Sequence, residues 1–287
     1  MLPARGRSWS RAFDTIASMF DLTPNLEEQK DKLIAVAFGD LETDHEYFLN
    51  ADEPLHPAST MKVHVMMEVF RQANEELLSL DGRLPIVNSF TSIADGSKFS
   101  LDVIDDSEQS LYQRIGETES IHELTRLMIV RSSNFATNIL IEKVGARNVD
   151  DFIHALGIEG VTIRRGIEDN AAFRLGMNNS ASARGLTQTM DLIARKKVVS
   201  DRASEQMIDI LLGQEFNQSI PALLPNFVKV AHKTGWTGNV YHDTGIVYPP
   251  DRKPYVLSLM TRGFTEAQEN EAHACMAKLS RRIYESV

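Results

Sequence analysis

The feature that most narrows the folds open to this sequence is the position of its β-rich runs, which lie at the two ends with a helical pattern between them. Near the N-terminus, "KLIAVAFGD" (32–40) and "EYFLNAD" (46–52) read as two strands of a hairpin joined by a short polar turn. After Pro221, "FVKVAHKTG", "YHDTGIVYP" and "KPYVLSLMTRG" are three more β-rich runs with short turns, and "TEAQENEAHACMAKLSRRIYESV" is a closing helix. The simplest packing joins both ends into one antiparallel sheet. The expected organisation is therefore an α/β unit of residues 1–55 and 222–287, an all-helical unit of 56–221, and a ligand cleft at the junction.

The middle supports this. "STMKVHVMMEVFRQANEELL" carries Met61, Val65, Val69 and Ala73 at helical spacing. "SIHELTRLMIVR" (120–131) and "FATNILIEKVG" (135–145) read as two helices interrupted at "SSN". "NVDDFIHALG" and "SARGLTQTMDLIARKK" read as two more, with Gly145 and Gly157 as C-terminal stops. Residues 85–116 are polar, with Asp-Gly and Gly-Ser turn signals, and read as a long decorated connection.

Several function classes are excluded or disfavoured. With 40 acidic and 30 basic side chains, the net charge of −10 argues against nucleic acid or an anionic membrane surface as the main partner. The single cysteine, Cys275, rules out an internal disulfide and reads as a packed residue of the last helix. None of the eight histidines falls in a metal-binding spacing, and there is no Gly-rich nucleotide loop, so no metal and no cofactor is expected. The stretch "MLPARGRSWSRAFDTIASMF" has three arginines but no apolar export-signal core, and no segment reaches the roughly 20 apolar residues of a membrane span.

The chemistry begins at "HPASTMKVHVMMEVF" (56–70). If a helix starts at Ser59, Lys62 lies one turn above it on the same face. Helical side chains lean toward the N-terminus, which brings the lysine back over the serine hydroxyl. Apolar neighbours and the positive helix end both disfavour the ammonium, so Lys62 can take a proton from Ser59. The Ser59 N–H, free at the helix start, can face a developing oxyanion. This spacing alone is equally met by a capping serine and a snorkelling lysine.

Two further elements decide between these. "RSSNFATN" holds Ser132 and Asn134 at a break between helices, and "AHKTGWTG" holds Lys233, Thr234 and Gly235 at a strand end. In this order and context, S-x-x-K, S-x-N and K-T-G are the motif set of the penicillin-recognising serine hydrolases. The chain resembles the class A β-lactamases and the penicillin-binding proteins that share their fold, over nearly its whole length.

The resemblance implies a β-lactamase-like fold, an antiparallel sheet flanked by helices plus an all-helical subdomain. It implies Ser59 as the acylated nucleophile, Lys62 as its activator and Ser132 as the relay to the leaving nitrogen. Asn134 would bind the substrate amide and Lys62. Lys233 and Thr234, with Gly235, would hold the substrate carboxylate. The N–H groups of Ser59 and Trp236 would form the oxyanion hole. The expected partner is a small β-lactam, or a peptide or ester bearing a carboxylate, acted on by a monomer. Family members are usually periplasmic or secreted, in tension with the absence of an export signal.

Two departures stand out. Ser133 occupies the middle of S-x-N, where aspartate is commonest. The family's deacylating glutamate belongs to a Glu-x-x-x-Asn element, but in "VTIRRGIEDNAAFRLGMNN" Glu168 is followed four residues on by Ala172. The spacing from Ser132 favours Glu168 as the deacylating base, with Asp169 fixing the loop and Asn138 steadying a loop carboxylate. Arg262 is a possible second anchor for an anion, or a solvated strand end. His232 abuts Lys233 and reads as strand packing. Alternatives remain: a D,D-peptidase or esterase with the same nucleophile, or a penicillin-binding sensor that stays acylated.

Overall fold

A computed structural model describes Phe20 and residues 22–287; the remaining residues, which include the arginine-bearing stretch read for an export signal, lie outside them. A short helix α1 (Thr23–Glu27) precedes the hairpin of β1 (Leu33–Asp40) and β2 (Glu46–Leu49). A 3₁₀ turn, Ala58–Met61, then runs directly into α2 (Lys62–Asn74). The helix expected from Ser59 thus opens with a tighter turn. Lys62 caps that turn and begins α2, three residues on from Ser59. Every residue from Lys62 to Phe70 is buried, which makes α2 a central helix rather than an amphipathic one.

The connection that follows is decorated as expected. It carries two small ribbons, β3 (Arg83–Pro85) with β6 (Thr118–Ser120) and β4 (Phe90–Thr91) with β5 (Lys98–Phe99). It also carries 3₁₀ turns at Val103–Asp105 and Ser110–Arg114. Helices α3 (Ile121–Val130), α4 (Asn134–Val144) and α5 (Ala146–Ala155) come next. Gly145 and Gly157 take φ of +85° and +71°, the left-handed conformation that stops a helix. A loop is pinched at its neck by β7 (Val161–Thr162) pairing β8 (Ser180–Ala181), and bears α6 (Asn170–Arg174). Helix α7 (Ala183–Ala194) follows.

Helix α8 (Asp201–Leu212) was not anticipated. Its signals are present: Ser200 caps it by accepting the Ala203 N–H, and Ala203, Met207, Ile210 and Leu211 form its buried stripe.

The chain ends in β9 (Lys229–Thr237), β10 (Val240–Tyr248), β11 (Tyr255–Arg262) and α9 (Glu269–Ser286). The sheet order is β2-β1-β11-β10-β9, and β1 pairs antiparallel with β11, so the two chain ends share one sheet as expected. Alternation sets its faces. Ile34, Val36 and Phe38 join Leu257 and Leu259 in a core shared with Met276 and Leu279 of α9, while Ala35 and Ala37 face the core built around α2 and α7. Strand β9 is left as an edge, laid against the 3₁₀ turn that bears Ser59.

Candidate active site

A cleft of about 580 Å³ opens between β9, the start of α2, the start of α4 and the 161–181 loop. Its lining includes Ser59, Asn134, Arg165, Glu168, Asn170 and Trp236. Beneath it lie Lys62 and Lys233, completely buried, with Ser132 and Thr234 almost so. All nine residues singled out in the sequence therefore come to one place.

Two of them, and the residue before the nucleophile, hang on unusual backbone. Ala58 before the nucleophile, Ser132 and Glu168 are non-glycine residues with φ of +46°, +55° and +58°. Such conformations cost about 1–3 kcal/mol each and persist only where the surroundings hold them. At Ser132 the kink turns both the carbonyl and the hydroxyl toward Lys62. Lys62 Nζ donates to Ser132 O at 2.7 Å, to Asn134 Oδ1 at 2.8 Å and to Ser132 Oγ at 3.3 Å. Lys233 Nζ donates to the same Ser132 Oγ at 3.0 Å and to Thr234 O at 2.8 Å. One serine hydroxyl thus bridges two buried lysines.

The lysine's placement refines the sequence reading. Lys62 is anchored on α4 rather than folded onto Ser59, whose hydroxyl makes no hydrogen bond among the described residues. Three donors meet three acceptors here. A neutral Lys62 keeps two donors, for Ser132 O and Asn134 Oδ1, and frees a lone pair. Burial drives the Lys62 pKa from 10.5 to about 7, against the opposing pull of the Asp106 and Glu168 carboxylates. Burial, reinforced by the charge of Lys62, also holds Lys233 well below the ordinary lysine range, and only Asp243 opposes this.

The glycine of K-T-G is required by a close approach. A Cβ at Gly235 would stand 2.7 Å from Ser59 N and 2.9 Å from Thr60 N, so only glycine lets β9 lie against the nucleophile's turn. Thr237 pairs with Val240 across a two-residue turn. Pairs alternate in an antiparallel ladder, so the backbone N–H of Trp236 turns out from the sheet edge toward the cleft. Its indole packs edge-on against Phe216 at 5.2 Å. The Thr234 hydroxyl is the one member of the group with a buried oxygen left without a partner among the described residues.

The 161–181 loop is tied down at several points. Asn179 Oδ1 accepts the Arg164 and Arg165 N–H groups at 2.8 and 3.0 Å. Asp169 is buried and accepts from Ser92 Oγ at 2.7 Å and from the N–H groups of Ile93 and Ala172 at 3.0 Å each, a loop-fixing role. It forms no ion pair with Arg164 or Arg165 within 4.0 Å. Asn138 grips the Ile167 backbone, accepting its N–H at 2.7 Å and donating to its C=O at 2.9 Å. The loop carboxylate that Asn138 was expected to steady is therefore replaced by main chain. Glu168 stands in the cleft wall, its side chain without a hydrogen bond or ion pair among the described residues. Its pKa is raised, first by burial and then by Asp105, Asp106 and Asp102, with Lys62 opposing.

Two peripheral expectations resolve simply. Arg262 ends β11 as an exposed residue outside the cleft lining, a strand end rather than an anchor. His232 is buried on the opposite side of β9 from Lys233, between Asp243 Oδ1 at 2.9 Å and Asn217 Oδ1 at 3.0 Å.

Sequence reasoning missed Asp106. It lies in the polar connection, and no local pattern marks it. In space it accepts the Asn134 N–H at 3.1 Å and the Phe135 N–H at 2.7 Å, at the start of α4. Ser133, the uncharged middle residue of S-x-N, caps the same helix through the Ala136 N–H at 3.1 Å.

Comparison with known proteins places these features. A model described as the beta-lactamase enzyme family matches residues 20–287. The β-lactamase ROB-1 of Haemophilus influenzae is 26% identical over 259 residues, covering 88% of this chain and 79% of that protein. Among solved structures, an acyl-enzyme complex of a PBP-A variant with penicillin G superposes with a TM-score of 0.78 at 24% identity, covering 99% of this chain and 98% of the other. A β-lactamase from Chitinophaga pinensis superposes with a TM-score of 0.80 at 21% identity, over 94% and 99%.

Proposed function

Since the chain belongs to the β-lactamase enzyme family, we propose that it hydrolyses β-lactams through an acyl-enzyme on Ser59. The observation that carries this reading is the shared hydrogen-bond set of Lys62, Ser132, Asn134 and Lys233, together with a Ser59 that lines the same cleft as Asn134 and whose hydroxyl makes no hydrogen bond among the described residues.

The roles in this reading are as follows. Neutral Lys62 takes the Ser59 Oγ proton as Oγ bonds to the ring carbonyl carbon. The N–H groups of Ser59 and Trp236 receive the oxyanion. As the carbonyl carbon–nitrogen bond breaks, Ser132 passes a proton to the nitrogen, drawn through its contact with Lys62. Lys233 lies one hydroxyl away, and with Thr234 it supplies the positive, donor-rich end for a substrate carboxylate. Glu168 then takes a proton from water as that water attacks the acyl-serine, and the proton returns to Ser59 as the ester bond breaks.

The division into an α/β unit of 1–55 and 222–287 and a helical unit of 56–221 belongs to the same reading, as does action as a monomer. Among the described residues no helix is long and apolar enough to cross a membrane.

The test is Glu168→Gln. It should leave the penicillin burst intact and trap the adduct on Ser59. If it turns over at the parent rate while Asp169→Asn traps the adduct, the assignment is off by one residue. If the parent itself holds its adduct indefinitely, the sensor reading replaces the hydrolase. If penicillin neither labels nor is consumed while a neutral ester is, the esterase reading does.

A further inference from the structure

Asp106 is drawn into the site from outside every motif. Its carboxylate is almost completely buried and has five partners: the N–H groups of Glu108 at 3.0 Å, Asn134 at 3.1 Å and Phe135 at 2.7 Å, and the hydroxyls of Tyr112 at 3.1 Å and Ser133 at 3.4 Å. Two of these N–H groups are the first two of α4, which no helical carbonyl can satisfy. Ser133 carries no charge, so among the described residues Asp106 supplies the only carboxylate bonded to this helix start.

The start of α4 is also where Lys62 is held. We propose that Asp106 is a positioning residue of the site, whose carboxylate fixes the first turn of α4 and through it Ser132 and Asn134, the two residues that hold Lys62. The neighbouring backbone completes the grip. Asp105 O accepts Asn134 Nδ2 at 3.3 Å, which fixes the amide so that Oδ1 turns to Lys62. One two-residue step thus sets the main chain of Asn134 through Asp106 and its side chain through Asp105.

The same carboxylate acts on Lys62 through space. The charged groups facing Lys62 are Asp106 from the connection, Glu168 from the 161–181 loop and Lys233 from β9; Asp106 is the largest opponent of the downward pull of burial. Loss of its charge further favours neutral Lys62 and moves the titration of this lysine to lower pH.

The assignment deepens the reading of Ser59 as the acylated residue, and one of its two readouts does not depend on that reading. The variants are Asp106→Asn, which keeps size but presents a donor to donors, and Asp106→Asn with Ser133→Asp, which returns a carboxylate to the cap of the same helix. The first readout is the Lys62 titration, followed by NMR of lysine-labelled protein. Asp106→Asn should move it below about 7, and the double variant should bring it back. The second is single-turnover acylation by penicillin G per folded molecule. It should fall about 10–100-fold at plateau in the single variant, the scale of a sub-ångström misplacement of a catalytic group, and recover in the double. An Asp106→Asn protein that only melts earlier, with its lysine titration and acylation plateau unchanged, overturns the proposal, as does a double variant no better than the single. A parent protein never acylated by penicillin counts against the reading of Ser59, and the lysine titration then decides Asp106 alone.

Discussion

Among the described residues Lys62 has no carboxylate within ion-pairing distance; it is completely buried, and its free base appears near pH 7 rather than at 10.5. The acylation rate should therefore depend on pH in a defined way. An ordinary lysine would be neutral in about one molecule in 3,000 at pH 7, whereas a group titrating at about 7 is neutral in about half. The fold thus enriches the base more than 1,000-fold, roughly. The sign is fixed by the lowered value: neutral Lys62 accumulates as pH rises, and below the inflection each pH unit removes about tenfold of it. Acylation at pH 5 should run at about one-fiftieth of its rate at pH 7, and from pH 7 to the plateau above pH 8 it should gain only about twofold. Rapid-quench mass spectrometry of the first turnover with penicillin G, from pH 5 to 9, reads this step apart from deacylation. Lys62→Met should lower the plateau by about 10²–10⁴-fold and abolish the inflection. A flat profile from pH 5 to 8, or an inflection that survives Lys62→Met, would refute the assignment and point to another base.

Other outcomes follow from the same geometry. Lys62→Met should raise the melting temperature at pH 7, because below 10.5 the unfolded chain carries a lysine charge that the folded site disfavours, by several kcal/mol at most, roughly, at and below pH 7; a lower melting temperature would mean that the bonds to Ser132 and Asn134 outweigh that cost. Gly235→Ala should slow acylation about tenfold or more, as its Cβ would press within 2.9 Å of two backbone nitrogens at the nucleophile's turn; an unchanged rate would show that β9 can move away freely. Lys233→Ala should weaken carboxylate-bearing substrates and spare neutral esters, and equal losses in a side-by-side kcat/KM comparison would make Lys233 structural. Asp169→Asn should destabilise the loop by about 1–3 kcal/mol through its lost acceptor geometry, seen as faster proteolysis at 161–181 with acylation retained.

Much of this architecture was legible because it is written in local pattern. The terminal strands are apolar runs with turn residues at their ends, and their union into one sheet follows from where they lie. The nucleophile and its partners were legible from short motifs, with Ser59 at a helix start and Ser132 at a break; Lys233, expected at a strand end, lies in the middle of β9 because the strand runs on to Thr237. What local pattern could not show is contact made across the chain. Asp106 looks like any acid in a polar connection, and only its approach to α4 gives it meaning. Asn138 was read toward a carboxylate and instead holds the Ile167 backbone, because Glu168 and Asp169 are displaced along the loop. The burial of α2 on all sides was hidden as well, since Lys62, His64 and Glu68 give it a polar face on paper.

The central claim is that Ser59 is acylated and then released by water. It is tested most directly by the intact mass of the parent protein after mixing with penicillin G, followed in time and mapped to a peptide. The expected result is an adduct on the peptide containing Ser59 that rises, decays to unmodified protein as hydrolysed penicillin accumulates, and is absent in Ser59→Ala. An adduct on any other residue, or penicillin consumed at full rate by Ser59→Ala, would contradict it.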